Sequence, residues 1–323
     1  MDADILVRVE HLSRFYGATL AVNRISFEVR RGEVLGFLGP NGAGKSTTMQ
    51  MLTGNLSPSE GRIRINGVDI LDEPVQAKAR LGYLPEQPPL YREMTVQEFL
   101  SYAARLNRLP LGQISSAVDL AVERCGLGSM RRRVIANLSK GFQQRVGIAQ
   151  AILHAPDVVI LDEPTVGLDP IQIREIRDLI RQIGQDHSVI LSTHILPEVQ
   201  ATCDRVQIVN RGELVLTDSI EGLQRRMASH SFMVALRRGA DVDALSRLAG
   251  VNEVEDCGDF RYIIQHDTAN SPAEAVARLA VEQEWGLYEL VPSRLSLEEV
   301  FVDITTAEPA EVEPVTETGD VGV

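Results

Sequence analysis

No long apolar run occurs in this sequence. Its longest wholly apolar stretches, such as Val158-Val159-Ile160-Leu161, fall far short of the roughly 20 residues a helix needs to span a bilayer. The start, Met1-Asp2-Ala3-Asp4, has neither the basic segment nor the apolar core of a secretory leader, so a signal peptide is not expected. Cysteine is scarce. Cys125, Cys203 and Cys257 are the only three, and none stands in a Cys-x-x-Cys pair, which argues against a disulfide framework and a cysteine zinc site. Scattered thiols fit a reducing compartment, and the simplest reading makes them small apolar side chains. Basic residues are also in short supply: 32 Lys and Arg stand against 45 Asp and Glu, a formal net charge of −13. That balance argues against a general nucleic-acid surface and against adhesion to anionic lipid. Neither tandem repeats nor sustained heptads are present.

What is present is an ordinary globular composition, 44% hydrophobic and 24% charged over 323 residues, enough for about two domains. Charge is unevenly placed. Residues 1–229 hold 26 basic and 26 acidic residues, leaving 6 basic and 19 acidic for residues 230–323. The shift predicts a domain boundary near residue 229.

The first part alternates β-rich runs with helical patterns, which predicts a mainly parallel sheet. Strands are expected at Ile5–Val9, Ile25–Val29, Val34–Leu38, Ile63–Ile65, Val158–Leu161, Val189–Ser192 and Val206–Val209. Helices are expected at Thr95–Leu106, Lys140–Leu153 and Ile171–Ile183. The second part reads as strand Ser231–Leu236, helix Val242–Leu248, strands Val251–Glu255 and Arg261–Ile264 joined by a turn at Cys257–Asp259, helix Pro272–Glu284 and strand Leu287–Val291. This β-α-β-β-α-β order is the ferredoxin-like pattern. A helix from Ser296 to Ile304 follows, with Ser296 and Glu299 spaced as a capping box. The tail from Thr305 has acidic residues and prolines but no basic residue, a composition that predicts disorder.

Chemistry enters at Gly39-Pro40-Asn41-Gly42-Ala43-Gly44-Lys45-Ser46, which matches G-x-x-x-x-G-K-[ST] between the strand Val34–Leu38 and a helical run, Thr47–Leu52. The glycines let the backbone wrap closely around a phosphate, and amide groups at a helix start face the anion. Lys45 suits the β- and γ-phosphates, and the Ser46 hydroxyl suits Mg²⁺. The chance of such a match in a chain this long is roughly one percent. A second element, Val158-Val159-Ile160-Leu161-Asp162-Glu163-Pro164, delivers two carboxylates at the end of a buried strand, where ligands of parallel sheets sit. Asp162 suits the Mg²⁺ sphere, and Glu163 suits polarising a water for attack on the γ-phosphate. His194 follows another β run and suits a hydrogen bond to that phosphate.

Through these elements together, residues 4 to about 220 resemble the nucleotide-binding domain of an ABC (ATP-binding cassette) protein. The distinguishing signature is Leu138-Ser139-Lys140-Gly141-Phe142-Gln143-Gln144-Arg145. The resemblance implies an α/β P-loop NTPase cassette with a RecA-like core, an antiparallel β subdomain and a helical subdomain, followed by a small α+β ferredoxin-like domain. The implied domains are the cassette at 4–229, an accessory domain at 230–304 and an acidic tail at 305–323. The resemblance further implies that Tyr16 stacks on adenine and that residues 39–47, ending at Thr47, hold the phosphates of ATP. Gln87 is implied to sense Mg²⁺ and water, Asp169 to couple two active sites, and His194 to act as the switch. Mg²⁺ would be held by Ser46, Gln87 and Asp162, with Glu163, His194 and Gln87 catalytic. Ser139 and Gly141 of a second copy, or of a homologous cassette, would complete each ATP site.

The signature departs from the commonest L-S-G-G-Q. Lys140 replaces the first Gly and Phe142 the Gln, while Ser139 and Gly141 remain, which leaves the role of Phe142 open. The Ser-Lys-Gly form, the Leu84-Pro85-Glu86 before Gln87 and the ending Ser296-Leu297-Glu298-Glu299-Val300-Phe301 resemble the bacterial ABC-2 export group, including gliding-motility and multidrug-type cassettes. The expected partners are therefore separate integral-membrane permease subunits, gripped near Gln87–Arg105, and the expected place is the cytoplasmic face of the cell membrane. Rival readings are an amino-acid importer cassette with a regulatory C-terminal domain, a soluble ABC ATPase acting on ribosomes or DNA, and a P-loop kinase. A kinase leaves the signature and His194 unexplained.

Overall fold

The computed structural model describes residues 4–266 and 271–294. The chain divides into two compact units, Met1–Leu223 and Gln224–Val323.

The first unit is built on two sheets. Strands β1 (Ile5–Tyr16) and β2 (Thr19–Arg30) form a long hairpin, β3 (Val34–Leu38) leads into α1 (Lys45–Leu52), and β4 (Glu60–Ile65) and β5 (Val68–Asp69) follow. The antiparallel sheet runs β2-β1-β4-β5. After α2 (Pro74–Lys78) come β6 (Leu81–Leu84), α3 (Val96–Leu106), α4 (Ile114–Arg124) and α5 (Lys140–Ile152). Then β7 (Val158–Asp162), α6 (Pro170–Gly184), β8 (Ser188–Thr193), α7 (Leu196–Thr202), β9 (Arg205–Asn210), β10 (Glu213–Ser219) and α8 (Ile220–Met227) complete the order.

The second sheet has six strands in the order β10-β9-β3-β8-β7-β6. Every pairing from β9 to β6 is parallel, and β10 is antiparallel to β9. Strands β3, β7 and β8 are buried at every position. That is why they read as unbroken apolar runs rather than alternating ones, as expected of a parallel sheet covered on both faces. By contrast, β1 and β2 alternate between buried and open positions. The first strand outruns its expected Ile5–Val9 because the chain slips register between Val9 and Leu12, near His11 at φ 49°, and then resumes pairing to Tyr16.

Topology places the chemistry. Strand β8 lies between β3 and β7, with Leu38 opposite Thr193 and Asp162 opposite Ser192. The loops leaving β3, β8 and β7 therefore emerge side by side at the carboxyl edge of the sheet, where parallel α/β sheets bind ligands. Among the described residues no helix is long and apolar enough to cross a membrane.

The second unit follows the β-α-β-β-α-β order: β11 (Ala228–Leu236), α9 (Val242–Ser246), β12 (Val251–Asp256), β13 (Arg261–His266), α10 (Ala273–Glu282) and β14 (Leu287–Arg294). Its antiparallel sheet runs β12-β13-β11-β14. Phe232, Val234, Tyr262 and Ile264 pack with Leu245, Val276, Ala280 and Trp285 into a core of their own. The expected turn forms at Gly258, Asp259 and Phe260, all at positive φ. The expected helix Ser296–Ile304 and the tail from Thr305 lie outside the described residues.

Candidate functional site

The loop from Gly39 to Gly44 connects the buried end of β3 to the first turn of α1. Gly44 sits at φ 100°, a conformation costly for any residue with a Cβ, and an added Cβ there would meet the Ala21 carbonyl at 2.6 Å. The loop is thus held tightly by neighbouring backbone. Its amide face opens on a cleft of about 310 Å³ lined by Ala21, Asn41, Gly42, Gly44, Lys45, Ser46, Thr47, Glu86, Glu163, Val166 and His194.

Lys45 is buried, and its ammonium donates to the carbonyls of Gly39 at 2.8 Å and Pro40 at 3.2 Å. It also pairs with Glu163 Oε1 at 3.4 Å, and both side chains are nearly inaccessible. The other oxygen of Glu163, Oε2, lies 3.0 Å from His194 Nδ1. A continuous chain of contacts, Lys45–Glu163–His194, therefore crosses the cleft from the phosphate loop to the end of β8. Glu163 is held at φ 48°, a left-handed conformation rare for a residue with a side chain, and its amide donates to the Ser192 carbonyl at 2.9 Å.

Behind this row, Ser46 Oγ donates to Asp162 Oδ1 at 3.4 Å. Burial pushes the Asp162 carboxyl up; the Ser192 and Ser46 hydroxyls beside it oppose that shift, and the charges of Glu163 and Glu86 add to it. The carboxylate also helps burial push the Tyr83 phenol up to about 12. A buried hydroxyl–carboxylate pair next to further negative charge suits a hard divalent cation that accepts oxygen ligands, and Mg²⁺ fits that donor set. No group of three or more His, Cys, Asp or Glu side chains is gathered for a metal among the described residues, so most ligands would have to come from water and a nucleotide.

The other sequence-predicted residues fall in different places. Gly39, Pro40 and Ala43 form the base of the loop, with Ala43 buried. Tyr16 is half exposed at the tip of the β1–β2 hairpin, outside the walls of the cleft, with the Arg14 guanidinium 5.0 Å from its ring centre. Gln87 lines a neighbouring cavity of about 300 Å³ with Lys140, Gln143 and Gln144, while Glu86, one residue earlier, borders both spaces.

Ser139, Gly141 and Asp169 gather around a third cavity of about 280 Å³. Ser139 caps α5, accepting from the Phe142 amide at 3.4 Å. Asp169 caps α6, accepting from the amides of Ile171 and Gln172 at 3.0 and 2.9 Å. A Cβ at Gly141 would meet the Gln172 side chain at 2.8 Å, so a larger residue there would have to displace that side chain. One copy of the chain therefore carries two separate cavities, one beside the Gly39–Ser46 loop and one at the starts of α5 and α6. Sequence reasoning missed Glu86 in the cleft wall. Its neighbour Gln87 carries the recognisable pattern, and no spacing rule tells which of two adjacent loop residues turns inward.

Comparison with known proteins places this geometry. Residues 22–166 match the ABC transporter family. An uncharacterized ABC transporter ATP-binding protein of Bacillus subtilis, YdbJ, is 33% identical over 96% of this chain and 99% of its own length. The bacitracin transport ATP-binding protein BcrA of Bacillus licheniformis is 35% identical over 68% of this chain and 72% of its own. Among solved structures, cbiO1 of Clostridium perfringens, part of the ABC transporter complex cbiONQ, superposes with a TM-score of 0.63 at 32% identity, covering 68% of this chain and 90% of that one.

Proposed function

This chain belongs to the ABC transporter family as an ATP-binding subunit that hydrolyses ATP, and we propose from that premise that it is the engine of an ABC-2 type exporter. The observation that carries the catalytic part is the Lys45–Glu163–His194 chain across the phosphate cleft, with contacts of 3.4 and 3.0 Å. The Glu163 carboxylate balances the charge of Lys45, and the carbonyls of Gly39 and Pro40 accept its hydrogen bonds. An arriving triphosphate competes for that ammonium, which frees the Glu163 carboxylate to orient a water and take up its proton. His194 holds Glu163 in place from the opposite side and presents its ring to the cleft. Ser46 and Asp162 are the residues that would hold Mg²⁺, with Gln87 reaching it from the adjacent loop. The ion, when bound, supplies charge neutralisation on the phosphate oxygens.

The two separate cavities are the reason to invoke a second cassette. Ser139 and Gly141 of one copy would meet the nucleotide bound at residues 39–47 of the other, with Tyr16 against its adenine and Asp169 linking the two sites. Closure then depends on the γ-phosphate, and its loss reopens the pair. The work passes to separate permease subunits in the membrane, which would hold the chain peripherally at the cytoplasmic face. Export is favoured over import by the Ser-Lys-Gly signature and by the Leu84-Pro85-Glu86 run before Gln87. Residues 4–229 form the cassette in this reading. Residues 230–304 form an accessory domain that helps pair or regulate cassettes.

Co-purification in mild detergent tests the assignment. An integral-membrane partner with no binding domain for imported solutes is expected. Recovery with ribosomes or DNA contradicts a transport role, and calorimetric binding of a free amino acid to the full chain moves the reading to an importer.

A further inference from the structure

One buried carboxylate remains unused by the mechanism above. Glu198, in α7, is 1% exposed. Its Oε1 accepts from Thr165 Oγ1 at 2.6 Å, and its Oε2 accepts from Thr193 Oγ1 at 3.0 Å. Both threonines are buried as well. Arg177 Nη2 stands 3.9 Å from the carboxylate, at the margin of ion-pair distance. Taking a carboxylate out of water is costly unless its oxygens are satisfied, and removing one partner leaves that cost uncompensated. The arrangement is therefore rigid: two hydroxyls and one carboxylate hold one another in a dry setting where each bond is stronger than at the surface.

The positions of the threonines give the arrangement its meaning. Thr165 lies two residues after Glu163, and Thr193 immediately precedes His194. The Thr193 carbonyl accepts from the Gly39 amide at 3.3 Å, at the start of the phosphate loop, and its hydroxyl also accepts from the Ile195 amide at 3.1 Å. Glu163 itself is held in a left-handed backbone conformation, which persists only where the surroundings over-determine it. We infer that Glu198 is a positioning residue, a clamp that ties the loop after β7 to the loop after β8 and so fixes Glu163 and His194 at their 3.0 Å contact. It does not line the cleft and acts through Thr165 and Thr193. The inference rests on the reading of Glu163 as the residue that activates water.

The test uses the full-length chain and replaces hydroxyl by methyl, since truncating Glu198 itself risks the fold. Thr165→Val and Thr193→Val are expected to lower kcat on the order of 10- to 100-fold, the scale of an ångström misplacement, while KM for ATP changes less than about threefold. Thr165→Ser and Thr193→Ser, which keep the hydroxyl, are expected to stay within about threefold of the parent in both constants. Hydrogen exchange read over residues 163–168 and 193–198 reports on the clamp without turnover. Thr165→Val should speed exchange in both segments, although only one is mutated.

Faster exchange confined to the mutated segment overturns the clamp. So do valine variants with parental kcat, provided Glu163→Gln has lost turnover in the same assay. If Glu163→Gln keeps its turnover, the catalytic reading fails instead, and the exchange data alone decide whether Glu198 couples the two loops. A loss of kcat and KM together, not rescued by serine, marks a purely structural role and also overturns the inference.

Discussion

In the first unit Lys45, Asp162, Glu163 and Glu198 are withdrawn from water, each under a tenth exposed with a partner within 4 Å, while His194 at the edge of the cleft stays open to solvent. In the second unit, Glu253, Glu255 and Asp256 stand in the open on β12, and no charged side chain is buried among the described residues of that unit. Overall charge follows the same division. Residues 1–229 balance at 26 basic against 26 acidic, and residues 230–323 carry the whole excess of acid. A strongly acidic average therefore says nothing against binding an anion such as ATP. In the proposed site binding rests on local amides, a helix start and Lys45, while the average is set by a different unit.

The most damaging way to probe this contrast is Lys45→Ala. It removes the one buried cation of the cleft, and affinity for ATP is expected to fall by at least about 100-fold in a titration, the scale of several lost charge-assisted contacts to phosphate. Unchanged affinity would mean the cleft is not the phosphate site.

Next in size is Ser139→Ala in the signature cavity. Turnover should drop roughly tenfold while ATP affinity of the dilute single chain stays near the parent value, if that hydroxyl serves a partner's nucleotide as proposed besides capping α5. An equal loss in affinity would place Ser139 in its own chain's site.

A smaller, oppositely directed effect is expected at Asp162. Burial raises the pKa of this carboxyl, so the folded state prefers it protonated. The cost of ionising it is absent below the ordinary carboxylate range and fully present once pH exceeds the raised value. In nucleotide-free protein near pH 7, Asp162→Asn should therefore raise Tm by a few degrees, about 2–4 °C per kcal/mol for a unit of this size, and the gain should vanish towards pH 3. A lower Tm at neutral pH would show that the contacts to Ser46 and Ser192 outweigh desolvation.

The least effect is expected from Glu253→Lys with Glu255→Lys. Reversing these exposed charges should leave kcat and KM for ATP within about twofold, since neither side chain lines the cleft and charges in open solvent are screened by salt. A larger change in either constant would tie the second unit to catalysis.

Much of this arrangement was legible in the sequence, and the exceptions have causes. The buried strands β3, β7 and β8 announced themselves as short apolar runs ending at Leu38, Leu161 and Ser192, because both faces of that sheet are covered. The residues of the phosphate cleft were readable because their spacing is fixed by a loop that must wrap an anion. Strand β6, only Leu81–Leu84, and helix α4, Ile114–Arg124, gave no comparable signal. The first is a four-residue edge strand containing Gly82, and the second begins without a side-chain cap. Glu198 was invisible for a different reason. Its partners lie 33 and 5 residues away in sequence and meet it only because β8 is threaded between β3 and β7.

The central claim, that Glu163 drives hydrolysis while the Gly39–Ser46 loop and the Lys45 it pairs with hold the nucleotide, is tested most directly by Glu163→Gln measured for binding and turnover in one preparation. The expected result is ATP affinity within a few-fold of the parent, a rate lowered by about 100-fold or more, and an ATP-bound dimer accumulating where the parent shows none. Turnover within a few-fold of the parent, with affinity unchanged, would contradict the account.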